Sequence, residues 1–299
     1  MKNKDFKIVI FTEFSKKKGL GHYVRTKRLY DFLKKNYKTS YYINKKKSFI
    51  LNYLKDNTFK TIFLFDFKDY NNHNYKIKKN FFYIYFDCTF KKESILNINP
   101  LIPSKNYFSG PKWFAYPENF FSKKIFNKRT KYKKILICQG GSDANNNITS
   151  LIGAIKNRIK DIEFELNVLV PQAYRINQIQ KTKYSVKYHT NIKNMGNFLN
   201  QFDHIVTSCG LLSYEINFFG IDCTYVTSEP REIKLAKYFE KKNFGKFFKI
   251  SQKKDLLNHI YYNIQKTKIK KLTIDKIRYF KHNGLDNITK LILKIKNEI

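Results

Sequence analysis

The sequence predicts an α/β protein of two Rossmann-like halves with a ligand cleft between them, and three observations carry that prediction. Short β-rich apolar runs alternate with longer amphipathic stretches, the pattern of parallel sheets joined by helical crossovers. The alternation occurs twice, and each series opens on a strand, a glycine-containing loop and a helix. The chain of 299 residues also has the length of two domains at about 150 residues each.

The first series starts with a strand over 7–11, a loop containing Gly19 and Gly21, and a helix over 22–35. On that helix Val24, Leu29, Phe32 and Leu33 share an apolar face, and Arg25, Lys27, Arg28 and Lys34 are expected in water. Strands follow over 39–43, 61–65 and 81–86, with helices over 48–57 and 75–79. The charge-dense, glycine-free stretch 122–134 reads as a linker. The second series has strands over 135–139, 164–170, 204–208 and 224–226, and helices over 147–160 and after Gly210. Helices are expected to close the chain from 233 onward. The domains so drawn are 1–125, 130–270 and a helical extension over 271–299.

Composition narrows the function. A hydrophobic fraction of 42% and an aromatic fraction of 17% exclude a disordered or low-complexity chain. The 59 Lys and Arg against 23 Asp and Glu give a net charge of +36, which invites a nucleic-acid reading. However, Lys, Asn, Ile, Phe and Tyr are over-used together, all have AT-rich codons, and the lysines are spread along the whole chain. Codon bias accounts for that pattern without a nucleic-acid partner. Weak association with an anionic membrane surface is a secondary consequence of the charge. Cys88, Cys138, Cys209 and Cys223 form no CxxC pair and sit in or beside apolar runs, as reduced, buried residues do. No signal-peptide core and no apolar run of about 18 residues is present. A cytoplasmic, monomeric protein is therefore expected.

In open parallel sheets ligands bind beyond the carboxyl ends of the strands, and three segments fall there. In Gly19-Leu20-Gly21-His22-Tyr23-Val24-Arg25, the glycines allow close backbone approach to a ligand, and a histidine sits at a helix start. It is neither a dinucleotide fingerprint, which would need glycine in place of Val24, nor a P-loop. A helix N-terminus disfavours imidazolium, and a neutral imidazole suits a general base. A helix-start histidine without duty is the alternative. In Gly140-Gly141-Ser142-Asp143, backbone N–H groups at a strand-to-helix turn offer an anion site, with the Ser142 hydroxyl beside them; an ordinary turn with Asp143 or Asn145 capping the helix is the alternative. In the third, Thr207-Ser208-Cys209-Gly210-Leu211-Leu212-Ser213-Tyr214-Glu215, small residues end a strand, a helix starts, and Glu215 faces back toward the loop after about one turn. There it can accept hydrogen bonds from both hydroxyls of a ribose, or simply be solvated.

Taken together, these segments resemble the UDP-sugar hydrolase family of pseudaminic acid biosynthesis and related spore-coat polysaccharide proteins. More distantly they are similar to the N-acetylglucosaminyltransferase that forms lipid II. Residues 19–25 resemble the family's G-x-G-H-x-x-R. Gly110-Pro111-Lys112-Trp113 with Pro117-Glu118-Asn119-Phe120 resembles its G-P-x-Y…R-x-E-F region. Gly140 to Asp143 resembles its diphosphate loop. Asn194-Met195 and Ser208-Cys209-Gly210 with Glu215 resemble its uracil and ribose end. The chain departs from the family at Phe11-Thr12-Glu13-Phe14-Ser15, where Arg-x-Asp-x-Ser is usual. It departs again at Thr227-Ser228-Glu229-Pro230-Arg231, where an Asn-Gln pair is usual.

The resemblance implies a GT-B fold and a UDP-sugar substrate, a deoxy-diacetamido sugar released from UDP. It implies His22 as the base that activates water, with Gly19, Gly21, Arg25 and Glu13 about the sugar. Gly140, Gly141, Ser142, Asp143, Asn194, Met195, Ser208, Gly210, Leu211 and Glu215 would hold the nucleotide. No metal or cofactor is called for, because backbone amides and basic side chains can stabilise a leaving diphosphate. The alternative activity is a GT-B glycosyltransferase of surface polysaccharide synthesis, in which an acceptor hydroxyl replaces water.

Overall fold

A computed structural model describes residues 3–14, 20–56, 59–67, 81–87, 95–101, 103, 108–122, 133–141, 143, 146–158, 164–171, 186–227, 229–265 and 272–297. The chain forms two compact units, Met1–Glu118 with His282–Ile299, and Asn119–Lys281.

The first unit contains β1 (Asn3–Thr12), α1 (Gly21–Leu33), β2 (Tyr37–Ile43), α2 (Lys47–Asp56), β3 (Thr61–Asp66), β4 (Phe81–Phe86) and β5 (Ile95–Ile98). Its sheet has the order β2-β1-β3-β4-β5, and the strand pairs are parallel. Strand alternation sorts the side chains into two cores. Ile8, Ile10, Ile62, Leu64 and Ile84 face Leu29 and Leu33 of α1. Val9, Phe11, Phe63, Phe65, Tyr83 and Tyr85 face Ile50 and Leu54 of α2. The second face is largely aromatic, with Phe65 stacked on Phe11 at 5.6 Å and on Tyr85 at 4.9 Å between ring centroids.

The second unit contains β6 (Lys133–Cys138), α3 (Asn147–Arg158), β7 (Phe164–Leu169), β8 (Val186–His189), α4 (Met195–Leu199), β9 (His204–Thr207) and α5 (Leu211–Phe218). It continues through β10 (Asp222–Thr227), α6 (Pro230–Lys241), β11 (Lys246–Lys249), α7 (Lys253–Gln265) and α8 (Ile274–Arg278). The parallel sheet order is β11-β10-β9-β6-β7-β8. Numbered within the unit this is the dinucleotide-fold order 3-2-1-4-5-6 read from the other edge. The connection reverses direction between β6 and β9, where Cys138 pairs with Thr207.

A last helix, α9 (Gly284–Lys296), belongs to the first unit. The sequence places 271–299 in an extension of its own; in the structure α8 stays with the second unit and α9 does not. The reason is its apolar stripe: Leu285, Ile288, Ile292 and Ile295 join the core of the first sheet beside Leu29, Trp113 and Ala115. The approach is so close that a Cβ on Gly284 would lie 2.2 Å from the carbonyl oxygen of Phe114.

Other differences concern short elements. The four-residue strands β5, β8 and β11 and the five-residue helix α4 are present without having been expected. β11 interrupts the run of helices expected after 233. Part of the expected linker, 123–132, the expected helix over 75–79, and Cys88 lie outside the described residues. Cys138, Cys209 and Cys223 are free and buried. Among the described residues no helix is long and apolar enough to cross a membrane.

Candidate functional site

At the carboxyl end of the first sheet the order changes direction between β1 and β3, where Thr12 pairs with Asp66. Asp66, the last residue of β3, has no exposed surface. Its carboxylate takes two hydrogen bonds from Arg25, Nε to Oδ2 at 2.5 Å and Nη2 to Oδ1 at 2.5 Å. The third guanidinium nitrogen, Nη1, pairs with Asp87 just beyond β4. His22 sits one helical turn before Arg25 on the same face of α1, and its Nδ1 lies 2.6 Å from Asp66 Oδ1. Asp87 holds a left-handed backbone, φ 52°, a conformation that aspartate tolerates better than most residues.

The electrostatics follow from this packing. Burial alone would raise the Asp66 carboxyl, but the charges and hydrogen bonds of Arg25 and His22 outweigh it and hold the group below the ordinary value of 3.8. An ionised Asp66 only accepts, so a neutral His22 keeps its proton on Nδ1 and its lone pair on Nε2. The imidazole is thereby fixed in tautomer and direction. Arg25, expected on the wet face of α1, is 4% exposed, because a guanidinium matched by two carboxylates can be buried where an unpaired one cannot. Glu13, one residue past β1, is also buried. Gly21 is the first residue of α1, and Gly19 lies outside the described residues. Asp66 and Asp87 were missed in the sequence. Their signal was present, since each is the single acid that ends an apolar strand, in 61–66 and in 81–87.

The second sheet is built differently. Gly140, just past β6, has φ +73°, and a Cβ there would sit 3.4 Å from Ser208 Oγ. Both facts favour glycine in the β6–α3 turn. Gly141 is exposed, and Ser142 lies outside the described residues. The carboxylate of Asp143 accepts from the backbone N–H groups of Asn147 at 2.9 Å and Ile148 at 3.2 Å, so it caps α3. Burial pushes its carboxyl up, with those two bonds opposing.

Gly210 precedes α5 without a side-chain cap, and Leu211 opens that helix. Glu215, in the middle of α5, is 3% exposed. Burial pushes the Cys138 thiol up to about 12, and the charges of Asp143 and Glu215 add to the effect. Glu215 thus turns inward, toward the end of β6, and is not a solvated helix residue. Asn194 caps α4 by accepting from the Asn197 N–H at 3.1 Å, and Met195 is the first residue of that helix.

Three further residues lie at this end: Thr207, which opens the third segment singled out in the sequence, and Glu232 and Gln139, which were not anticipated. Glu232, in the first turn of α6, accepts from Thr227 Oγ1 at 2.5 Å. Its Oε1 lies 3.6 Å from where a Cβ on Gly210 would be. Gln139 and Thr207 follow or end β6 and β9, and their Nε2 and Oγ1 are buried without a hydrogen-bond partner. The structure thus gathers Gly140, Ser208, Gly210, Leu211 and Glu215 at the ends of β6 and β9. No Lys or Arg occurs in 139–143 or 207–215.

No protein-family model matches the chain. Among curated proteins it is 29% identical over 265 residues to the uncharacterized protein MJ1062 of Methanocaldococcus jannaschii. That match covers 72% of this chain and 54% of the relative, so the chain spans about half the length of the protein it matches. Solved structures agree over nearly the whole chain. MurG of Acinetobacter baumannii matches with a TM-score of 0.60 at 13% identity, covering 98% of this chain and 100% of that one. MnaA of S. aureus, in a co-structure with UDP, matches with a TM-score of 0.66 at 9% identity, covering 99% and 98%. The UDP-GlcNAc 2-epimerase of Neisseria meningitidis, bound to UDP-GlcNAc, matches with a TM-score of 0.53 at 11% identity, covering 97% and 100%. The fold is of the GT-B type.

Proposed function

We propose that this chain is a nucleotide-sugar enzyme, and specifically a UDP-sugar hydrolase in which His22 is the general base. The observation that carries the reading is the contact of His22 Nδ1 with Asp66 at 2.6 Å. Held there, the imidazole presents the lone pair of Nε2, the arrangement a base needs to take a proton from water. The oxygen then attacks the anomeric carbon, the bond to the diphosphate oxygen breaks, and UDP leaves with inversion of configuration. Asp66 stays ionised and stabilises the imidazolium that forms, while Arg25 and Asp87 hold Asp66 in place.

The nucleotide is assigned to the second unit. Its switch-point strands end in a glycine turn and an uncapped helix N-terminus, features suited to a diphosphate. Glu215 is assigned to the ribose, where one carboxylate can accept from two hydroxyls. UDP is chosen because structural neighbours bind UDP or UDP-GlcNAc. A deoxy-diacetamido sugar is chosen on the motif resemblance of residues 19–25, 110–120 and 140–143. The same machinery with an acceptor hydroxyl in place of water is a glycosyltransferase, and the likeness to glycosyltransferase structures supports that second reading.

Incubation with a panel of UDP-sugars, with and without candidate acceptors, tests both. A hydrolase releases UDP from a diacetamido sugar in water alone. Release only with an acceptor present establishes the transferase, and no release or binding of any UDP-sugar removes both.

A further inference from the structure

We infer that His189 reads the nucleobase: its Nδ1 accepts the imide N–H of uracil, and this contact selects uridine over cytidine nucleotides. The inference rests on the nucleotide reading above and names the group that makes it specific.

A row of paired residues crosses the carboxyl end of the second sheet, in the order Tyr225, Thr207, Cys138, Leu169, His189. Tyr225, Thr207 and Cys138 are buried. At β8 the row comes to the surface, and Leu169 and His189 are half-buried. His189 lies two strand spacings, about 10 Å, from the end of β6, where the Gly140 turn begins and toward which Glu215 is turned. That separation suits a nucleotide whose phosphates and ribose sit at β6 and whose base extends toward β8.

A chain of hydrogen bonds holds the imidazole. It runs along the face of the sheet opposite Leu166 and Val168. Lys187 Nζ donates to Glu165 Oε2 at 2.8 Å, and Asn167 Nδ2 donates to Glu165 Oε1 at 3.0 Å. His189 Nε2 lies 2.7 Å from Asn167 Oδ1. Burial alone would raise the Glu165 carboxyl, but the hydrogen bonds of Lys187 and Asn167 and the charge of Lys134 outweigh it and hold the group below 4.5. An ionised carboxylate only accepts, so the Asn167 amide turns its N–H groups to Glu165 and its oxygen to His189. His189 therefore donates from Nε2. Burial lowers its pKa below 6.5, opposed by Glu165 and aided by Lys187, so near neutral pH the ring is uncharged and Nδ1 carries a lone pair. Among the described residues that nitrogen has no hydrogen-bond partner. The rings of Phe198 and Phe202 meet the imidazole edge-on, at 4.9 and 6.4 Å between centroids, and fix its plane.

An acceptor with a fixed direction sorts nucleobases. Uracil has a donor at N3, between two carbonyls, whereas cytosine has a lone pair at the same position. Nδ1 accepts from the first and opposes the second lone pair to lone pair. The phosphates and the ribose are common to both nucleotides and make no such distinction.

Calorimetry of the full chain with UDP and CDP tests this. The wild type should bind UDP about tenfold more tightly, the worth of one hydrogen bond that cytosine leaves unmade. His189→Phe keeps a ring against Phe198 and Phe202 and removes the acceptor. Its UDP affinity should fall about tenfold and its CDP affinity stay within about twofold, so that the preference disappears. dTDP, whose thymine has the same imide N–H, should lose as much as UDP. Titration of His189 itself, followed by NMR among the six histidines of the chain, gives a readout that a merely structural ring would not move. Because UDP selects the neutral imidazole, the His189 pKa in the UDP complex should lie about one unit below that in the CDP complex, the counterpart of a tenfold preference. Both wild-type measurements stand without the variant. Equal binding of UDP and CDP, a preference that survives in His189→Phe, or equal His189 pKa values in the two complexes would each overturn the inference and leave the nucleotide reading in place. Binding of neither nucleotide would remove that reading and this inference with it.

Discussion

At the carboxyl end of the first sheet the polar groups are charged side chains matched to one another. Arg25 lies between Asp66 and Asp87, and His22 leans on Asp66. At the corresponding end of the second sheet they are glycine backbone, hydroxyls and capping carboxylates, with no Lys or Arg in 139–143 or 207–215. The two aspartates show what this difference does. Asp66 is buried with a cation and its carboxyl is held down; Asp143 is buried against two backbone N–H groups and its carboxyl is pushed up. Two amide dipoles do not outweigh desolvation at Asp143, whereas Arg25 and His22 together do at Asp66. A site that must fix one imidazole can use an internally neutralised ion cluster. A site that is to receive an anion does better with donors that carry no charge of their own to desolvate. The net charge of +36 is therefore carried by residues outside 139–143 and 207–215.

His22→Asn breaks the comparison most severely. If the first end does chemistry and the second only binds, turnover falls by about 10²–10⁴. UDP affinity, measured by calorimetry, stays within about twofold because the nucleotide is held by other residues. A parallel loss of UDP affinity would mean that the two ends do not divide the work in this way.

Asp66→Asn tests the ion cluster itself. Removing one partner of a buried pair costs about 3–5 kcal/mol, and the low end is expected because Arg25 retains Asp87. Denaturant unfolding measures it. The same carboxylate sets an acid limit. Its folded pKa lies below 3.8, so its stabilisation is complete above that value and is lost as the pH falls through the folded pKa. The wild type should lose stability below about pH 4, and Asp66→Asn should lose less there. An acid profile unchanged by the substitution would show that Arg25 does not depend on Asp66.

Glu215→Ala is the smallest effect and sharpens the other side. Loss of a charged pair of hydrogen bonds to a ribose is worth roughly 1.5–3 kcal/mol, about ten- to a hundredfold in UDP affinity. Binding of inorganic pyrophosphate, which lacks the ribose, should not change. Equal losses for UDP and pyrophosphate would move Glu215 from the ribose to the architecture of the turn.

How much of this was legible depended on how local each signal was. The central strands β1, β3, β4, β6, β7, β9 and β10 show as apolar runs, because a strand buried on both faces needs apolar residues throughout. The three strands that were not anticipated, β5, β8 and β11, are all at sheet edges and four residues long. Sequences such as Val186-Lys187-Tyr188-His189 carry too few apolar positions to register a period. In the candidate site, His22 was visible because a glycine loop and a helix start announce it, whereas Arg25 was drawn to the site only by the motif resemblance of 19–25 and was otherwise expected in water. Asp66 is 44 residues from His22, and nothing local says that a strand-ending acid will meet a helix-starting histidine.

Local order in the chain determined that this protein would be two alternating α/β series, each with a glycine turn after its first strand. Apolar periodicity and backbone-permissive residues act over a few positions and need no partner from elsewhere. Tertiary structure alone decided that Arg25 would be buried between Asp66 and Asp87 and that α9 would return to the first sheet. Each of those outcomes depends on a partner far away in the sequence or on a close approach such as Gly284 against Phe114. Burial of a charge or of a helix face has its free energy set by the group it meets, and only the folded chain brings that group into contact.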